Sequence, residues 1–121
     1  MRSVLGGLAA AVLVTAALVA GAAAPRGHAS PQATTKVKVT ASEFKYVLSR
    51  KTAPKGTIVF TLVNKGKLPH DFKIAGKKTA KIAPGKTTTL KVTITAKGKK
   101  PFLCTVPGHA PAGMKGTFTV S

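Results

Sequence analysis

The sequence predicts an all-β domain, a Greek-key sandwich or barrel, behind an N-terminal hydrophobic leader. Three observations predict it. Apolar and polar residues alternate with period two in several runs. Turn signals recur about every eight to twelve residues. After the leader, no ten-residue stretch carries a helical period.

The elements follow in order. The 121-residue chain opens with Arg2 and then an uncharged run, Val4 to Ala24, dominated by Ala, Val, Leu and Gly. Small residues follow, with cleavage points after Ala22 or Ala29. This is the layout of a secretory signal peptide over residues 1–29. The run is also long enough to span a bilayer, so an uncleaved anchor is the rival reading. Residues 30–35 form a polar, proline-containing lead-in expected to be flexible, and residues 36–121 form the folded domain. Lys36 to Thr40 alternates basic and apolar residues. In Glu43 to Leu48 the side chains of Phe44, Tyr46 and Leu48 share one side. Ala53–Gly56 is a turn signal, and Thr57–Val63 is β-branched and aromatic, a buried strand. Asn64–Pro69 reads as a loop, and His70–Ala75 begins another extended segment. Ala83–Lys86 is a second turn. Thr87–Thr95 alternates again, with Leu90, Val92 and Ile94 facing one way. Lys97–Lys100 reads as a polar turn. Pro101–Cys104 enters a strand, and Lys115–Val120 is the last one, with Phe118 and Val120 inward.

Charge narrows the function classes. The chain has 20 basic and two acidic residues, a formal charge of +18. Cleavage after Ala29 removes Arg2 and Arg26 and leaves 18 basic residues against Glu43 and Asp71, or +16. Most lysines fall on the polar faces of strands, where they are solvated and guard sheet edges. With only two acids, no Ser/His/Asp set is readable, and no phosphate-cradling loop appears. A nonenzymatic protein is expected. A domain of about ninety residues builds one modest core and gains from a metal staple. The single cysteine cannot form an internal disulfide, so in an exported protein it calls for an intermolecular bond or a ligand role.

The segment FLCTVPGHAPAGM, Phe102 to Met114, answers that question. It holds the one cysteine, Cys104, and His109 and Met114, with four residues between each pair. Each alone has an ordinary explanation. Cysteine is commonly a small buried hydrophobe, methionine a core filler, and a loop histidine a solvated polar group. Together those explanations fail, because a filler would sit on a strand face and Met114 ends a loop rich in Gly and Pro. Thiolate, imidazole and thioether are soft or borderline ligands. Two histidines and a cysteine in a plane, with a weak axial methionine, make a blue-copper site. The second histidine is expected to be His70, which opens a strand. His28 lies in or beside the leader.

The segments NKGKLPHDFKI and PFLCTVPGHAPAGMKGTFTV resemble the cupredoxins, the small blue-copper proteins that include plastocyanin and azurin. The likeness covers roughly Lys36 to Ser121. CTVPGH is similar to the azurin form of the loop, and AGM to the plastocyanin form. The resemblance implies equatorial ligands His70, Cys104 and His109, an axial Met114, and one copper ion. It places Asp71 where asparagine is frequent, beside the site, with a backbone N–H that can bond the cysteine sulfur. Pro69, where azurins have a glycine, implies four ligands rather than five. It also implies an apolar patch for electron passage, here Leu68, Pro69, Pro107, Ala110 and Pro111. A dinuclear centre would need a second cysteine. A multicopper oxidase would have histidines beside its cysteine, where this chain has Leu103 and Thr105.

The expected function is electron transfer by a monomeric, periplasmic or extracellular copper protein. Its partner would be an acidic redox protein such as a cytochrome or a membrane electron-transport complex, with an anionic membrane surface as a further contact. Two alternatives remain: copper storage or delivery, and a basic module binding polyanions. Nucleic acid fits poorly, since Phe and Tyr are not interleaved with the lysines in a stacking pattern.

Overall fold

A computed structural model describes residues 34–121. The leader and most of the lead-in lie outside the described residues. Among the described residues there are nine strands: β1 (Thr35–Ser42), β2 (Lys45–Leu48), β3 (Thr52–Ala53), β4 (Gly56–Asn64), β5 (Lys73–Ile74), β6 (Lys77–Lys78), β7 (Thr87–Ile94), β8 (Gly98–Leu103) and β9 (Lys115–Val120). They form two sheets, ordered β2-β1-β4-β7 and β3-β9-β8-β5-β6. The chain changes sheet at β2–β3, β3–β4, β4–β5, β6–β7 and β7–β8, the crossing connectivity of a Greek-key sandwich. Among the described residues no helix is long and apolar enough to cross a membrane.

Alternation builds the core. β1 buries Val37, Val39 and Ala41, and β4 buries Ile58, Phe60 and Leu62, with exposed or half-buried residues between them. The opposite sheet contributes Ile74, Phe102, Phe118 and Val120. Phe60 reaches across to Phe118, with ring centroids 5.4 Å apart in an edge arrangement, and to Phe72 at 5.1 Å. Tyr46 closes the cluster edge-on to Phe72 and Phe102. Phe102 lies opposite Gly116, and a Cβ there would sit 2.5 Å from its ring, so the glycine leaves the space the aromatic ring fills.

Three expectations shift. β1 begins at Thr35, inside the segment read as lead-in, because Thr35 already pairs with Ile58. Lys99 and Lys100, read as turn, lie in β8 paired with Thr119 and Phe118. Lysines on the solvent side of a strand look like a turn when only polarity is read. Phe44 does not share a strand face with Tyr46. It sits in the β1–β2 turn at φ 63°, and its ring packs on His109 instead. Two pairings, β1 with β4 and β3 with β9, are parallel.

Candidate metal centre

Strand register brings the candidate ligands together. β5 pairs antiparallel with β8, with Lys73 opposite Leu103 and Ile74 opposite Phe102. The residues just before β5 therefore run alongside those just after β8, which sets His70–Phe72 against Cys104–Val106. β8 also pairs with β9, with Leu103 opposite Lys115. One step further, the Cys104 N–H donates to the Met114 carbonyl at 3.1 Å and closes the loop between them. Within the loop, the His109 N–H donates to Val106 O, and the Met114 N–H donates to His109 O, each at 3.1 Å. Gly113 lies at φ 119°, in a region that suits glycine, and a Cβ there would lie 3.4 Å from the Phe44 carbonyl oxygen.

All four candidate ligands are buried: His70 and Met114 are 0% exposed, Cys104 1% and His109 7%. His70 Nδ1 lies 3.2 Å from His109 Nδ1, and Cys104 Sγ lies 3.6 Å from the same His109 nitrogen. The donor atoms of His70, Cys104 and His109 all fall within 4.8 Å of one another. His70 is anchored by paired backbone bonds with Ile82, at 3.1 and 2.9 Å. Burial, then the neighbouring His109, holds its imidazole below the ordinary 6.5, partly offset by Glu43. The neutral ring, the form that ligates a metal, is thereby favoured.

Asp71 acts through its carboxylate. Oδ1 accepts the Thr105 N–H at 2.6 Å, and Oδ2 accepts the Thr105 hydroxyl. This ties the His70 segment to the residue after Cys104. Among the described residues no hydrogen bond runs from the Asp71 N–H to the Cys104 sulfur, whose contact is His109. The Asp71 carbonyl accepts the Tyr46 hydroxyl. Burial, with Cys104 and Asp71 beside it, keeps that hydroxyl protonated far above the usual tyrosine range. Of the patch residues, Leu68, Pro69, Pro107 and Pro111 are exposed and Ala110 is half-buried.

Sequence reasoning missed three supporting residues. Asn64, fully buried, donates to Leu68 O and Ile82 O at 2.8 and 3.0 Å, and accepts the Gly66 N–H at 2.9 Å. Glu43 accepts the N–H groups of Lys67 and Leu68 and lies 3.5 Å from His70 Nε2. Phe44 meets the His109 ring edge-on at 5.1 Å. The one available signal was scarcity, since Glu43 is one of two acids in the chain.

A family model for the cupredoxin-like domain matches residues 8–120. The chain belongs to the cupredoxin-like family. It is similar to dithionite-reduced auracyanin from the photosynthetic bacterium Roseiflexus castenholzii, at 26% identity and a TM-score of 0.65, over 72% of this chain and 97% of that one. Rusticyanin from Thiobacillus ferrooxidans is 23% identical with a TM-score of 0.62, over 73% and 77%. A copper nitrite reductase from Nitrosomonas europaea is 20% identical with a TM-score of 0.61, over 74% of this chain and 42% of its own. These last two are likenesses of fold. No curated protein matches the chain.

The cupredoxin donor set fits a metal ion. Two nitrogens each about 2.0–2.1 Å from one first-row ion, at an angle of roughly 105–120°, lie about 3.2–3.6 Å apart. A sulfur at about 2.3 Å places the sulfur–nitrogen separation at roughly 3.5–3.8 Å. The observed 3.2 and 3.6 Å fall in those ranges, and all three donors lie within 4.8 Å of one another, close enough to share one ion. Two imidazoles and a thiol, with a thioether nearby, are the donors of a type 1 copper site.

Proposed function

We propose that this cupredoxin carries single electrons between redox proteins outside the cytoplasm. The observation that carries the reading is the buried convergence of His70 Nδ1, His109 Nδ1 and Cys104 Sγ. Copper bound there would supply one-electron exchange between its Cu(I) and Cu(II) states. The chain's own part is to hold the donors still. His70 is clamped by the Ile82 bridge, Cys104 by the bond to Met114, and the two segments by Asp71 and Thr105. A site held this firmly reorganises little when its charge changes. Burial would keep water from a copper-bound sulfur, and a weak thioether donor would favour the reduced ion. His109 is the most exposed of the four ligands, flanked in sequence by Pro107, Ala110 and Pro111, and would be the port for electrons.

Copper delivery uses similar ligands but needs an open site for exchange. Ligands between 0% and 7% exposed favour retention. Adding Cu(II) separates the two. Electron transfer predicts an intense blue band that a reductant bleaches, and copper that stays bound against a chelator. A colourless complex that surrenders its copper would overturn it. The partner is proposed to be acidic, because a strongly positive field speeds encounter with anionic surfaces by about tens to a thousandfold. At physiological ionic strength the screening length is about 8 Å, so the rate should fall as salt rises. Stopped-flow reduction by an acidic cytochrome across a salt series checks this, and a flat response would remove the steering claim. A charge placed at Ala110 should slow transfer at every salt concentration, since it alters the contact rather than the approach.

A further inference from the structure

We propose that Glu43 is a positioning residue for the copper centre: its carboxylate fixes the His70 tautomer and strengthens His70 as a donor. This rests on the metal-centre reading above. His70 has two ring nitrogens and, when neutral, one N–H. Nδ1 faces the site, 3.2 Å from its counterpart on His109. Nε2 faces away, is fully buried, and makes no hydrogen bond. A buried polar group left unpaired is costly. The charged acceptor beside it is Glu43 Oε1, at 3.5 Å. That separation exceeds a normal hydrogen bond but is well within Coulombic reach. A negative charge there favours the proton on Nε2 and leaves the Nδ1 lone pair directed at the site.

The carboxylate is held in place rather than loosely present. The Lys67 and Leu68 N–H groups donate to Oε1, the latter at 2.8 Å. A Cβ on Gly66 would lie 2.5 Å from that oxygen, so glycine leaves the room it occupies. Two converging N–H donors are the partners that suit a charged carboxylate at Glu43. The next residue, Phe44, presses on the His109 ring. One two-residue turn therefore touches both imidazoles from outside. In a chain with 20 basic residues and two acids, both acids stand beside the metal loop. Asp71 is occupied by Thr105, and Glu43 is the one that faces a ligand nitrogen.

The test compares wild type, Glu43→Gln and Glu43→Ala. Glutamine keeps an Oε1 acceptor for Lys67 and Leu68 but removes the charge, so the loop is retained. Nitrogen NMR of the copper-free wild type should show His70 protonated at Nε2. Chelator competition should show Glu43→Gln weakening Cu(II) binding about 10- to 100-fold, the usual cost of removing a partner behind a metal ligand. In a fixed redox buffer, its reduced-to-oxidised ratio should rise about tenfold, equivalent to about 59 mV for one electron. The blue band should persist. A wild type protonated at Nδ1 overturns the proposal. So does a Glu43→Gln protein identical to wild type while Glu43→Ala alone is impaired, since Glu43 would then only brace the loop. A wild type that gives no blue band with copper overturns the underlying metal reading, an outcome distinct from a blue wild type insensitive to Glu43.

Discussion

In the middle of the sandwich, Phe60 packs on Phe72 and Phe118, among Val39, Ile58 and Leu62, all fully buried and apolar. At the ligand end, burial encloses His70, Asp71, Cys104 and His109, with Asn64 and Thr79 close by. Of the six buried polar or charged residues described, all but Thr35 belong to this end. The middle is held by area and close packing, which any apolar residues of the right volume supply. The ligand end is held by particular hydrogen-bonding groups: Asp71 accepts from Thr105, Asn64 donates to the Leu68 and Ile82 carbonyls, and Thr79 accepts the Phe72 N–H at 3.1 Å. The two regions should therefore fail differently, one by losing stability and the other by losing chemistry in an intact fold.

Crossed variants give the largest expected effects. Cys104→Ala should abolish the blue absorption entirely while circular dichroism still reports a folded β domain. Phe60→Ala should do the reverse at first, costing about 3–5 kcal/mol in denaturant midpoint while any protein still folded binds copper. If Cys104→Ala unfolds the domain, or Phe60→Ala loses colour at a denaturant concentration where it remains folded, the division between regions is wrong. Met114 sharpens the comparison because it belongs to both regions, fully buried in the core cluster and bonded through its backbone to Cys104 and His109. Met114→Leu keeps the volume, so stability should change by less than about 1.5 kcal/mol. It removes the sulfur, so the reduction potential should rise with copper and colour retained, as voltammetry would show. An unchanged potential would place Met114 in the core alone. The smallest effect concerns acid. In copper-free protein the folded state resists protonating His70, whose ordinary value is 6.5. As pH falls below that value the unfolded chain takes up a proton the folded chain refuses, so stability declines. Denaturant midpoints across pH 5–8 should show this decline, and His70→Gln should flatten it.

The middle was the more legible region. Alternation located β1, β7 and β9, because a half-buried strand must show period two, and a β-branched, aromatic run located β4. It was silent on direction, since a parallel and an antiparallel strand alternate alike, and the β1–β4 and β3–β9 pairings went unread. Strands of two residues, such as β3, β5 and β6, are too short to show any period. At the ligand end, Cys104, His109, Met114 and His70 stood out because soft donors are so rare in this chain. Their supports did not. Glu43 reaches residues 24 and 25 positions away, and Phe44 reaches His109, contacts that exist only once the sheets have closed.

The ligands sit one step beyond paired strand ends, and this has a consequence for assembly. Cys104 follows Leu103, whose pairing with Lys73 and Lys115 sets where the sulfur points. Because side chains alternate, a slip of one residue between β8 and either neighbour would turn Cys104 to the other face of its sheet and dismantle the donor set. A misregistered chain therefore offers no pocket for the ion. Whatever binds only the correct arrangement also enriches it by mass action. Copper would act as a proofreader, retaining the one strand alignment in which three donors meet.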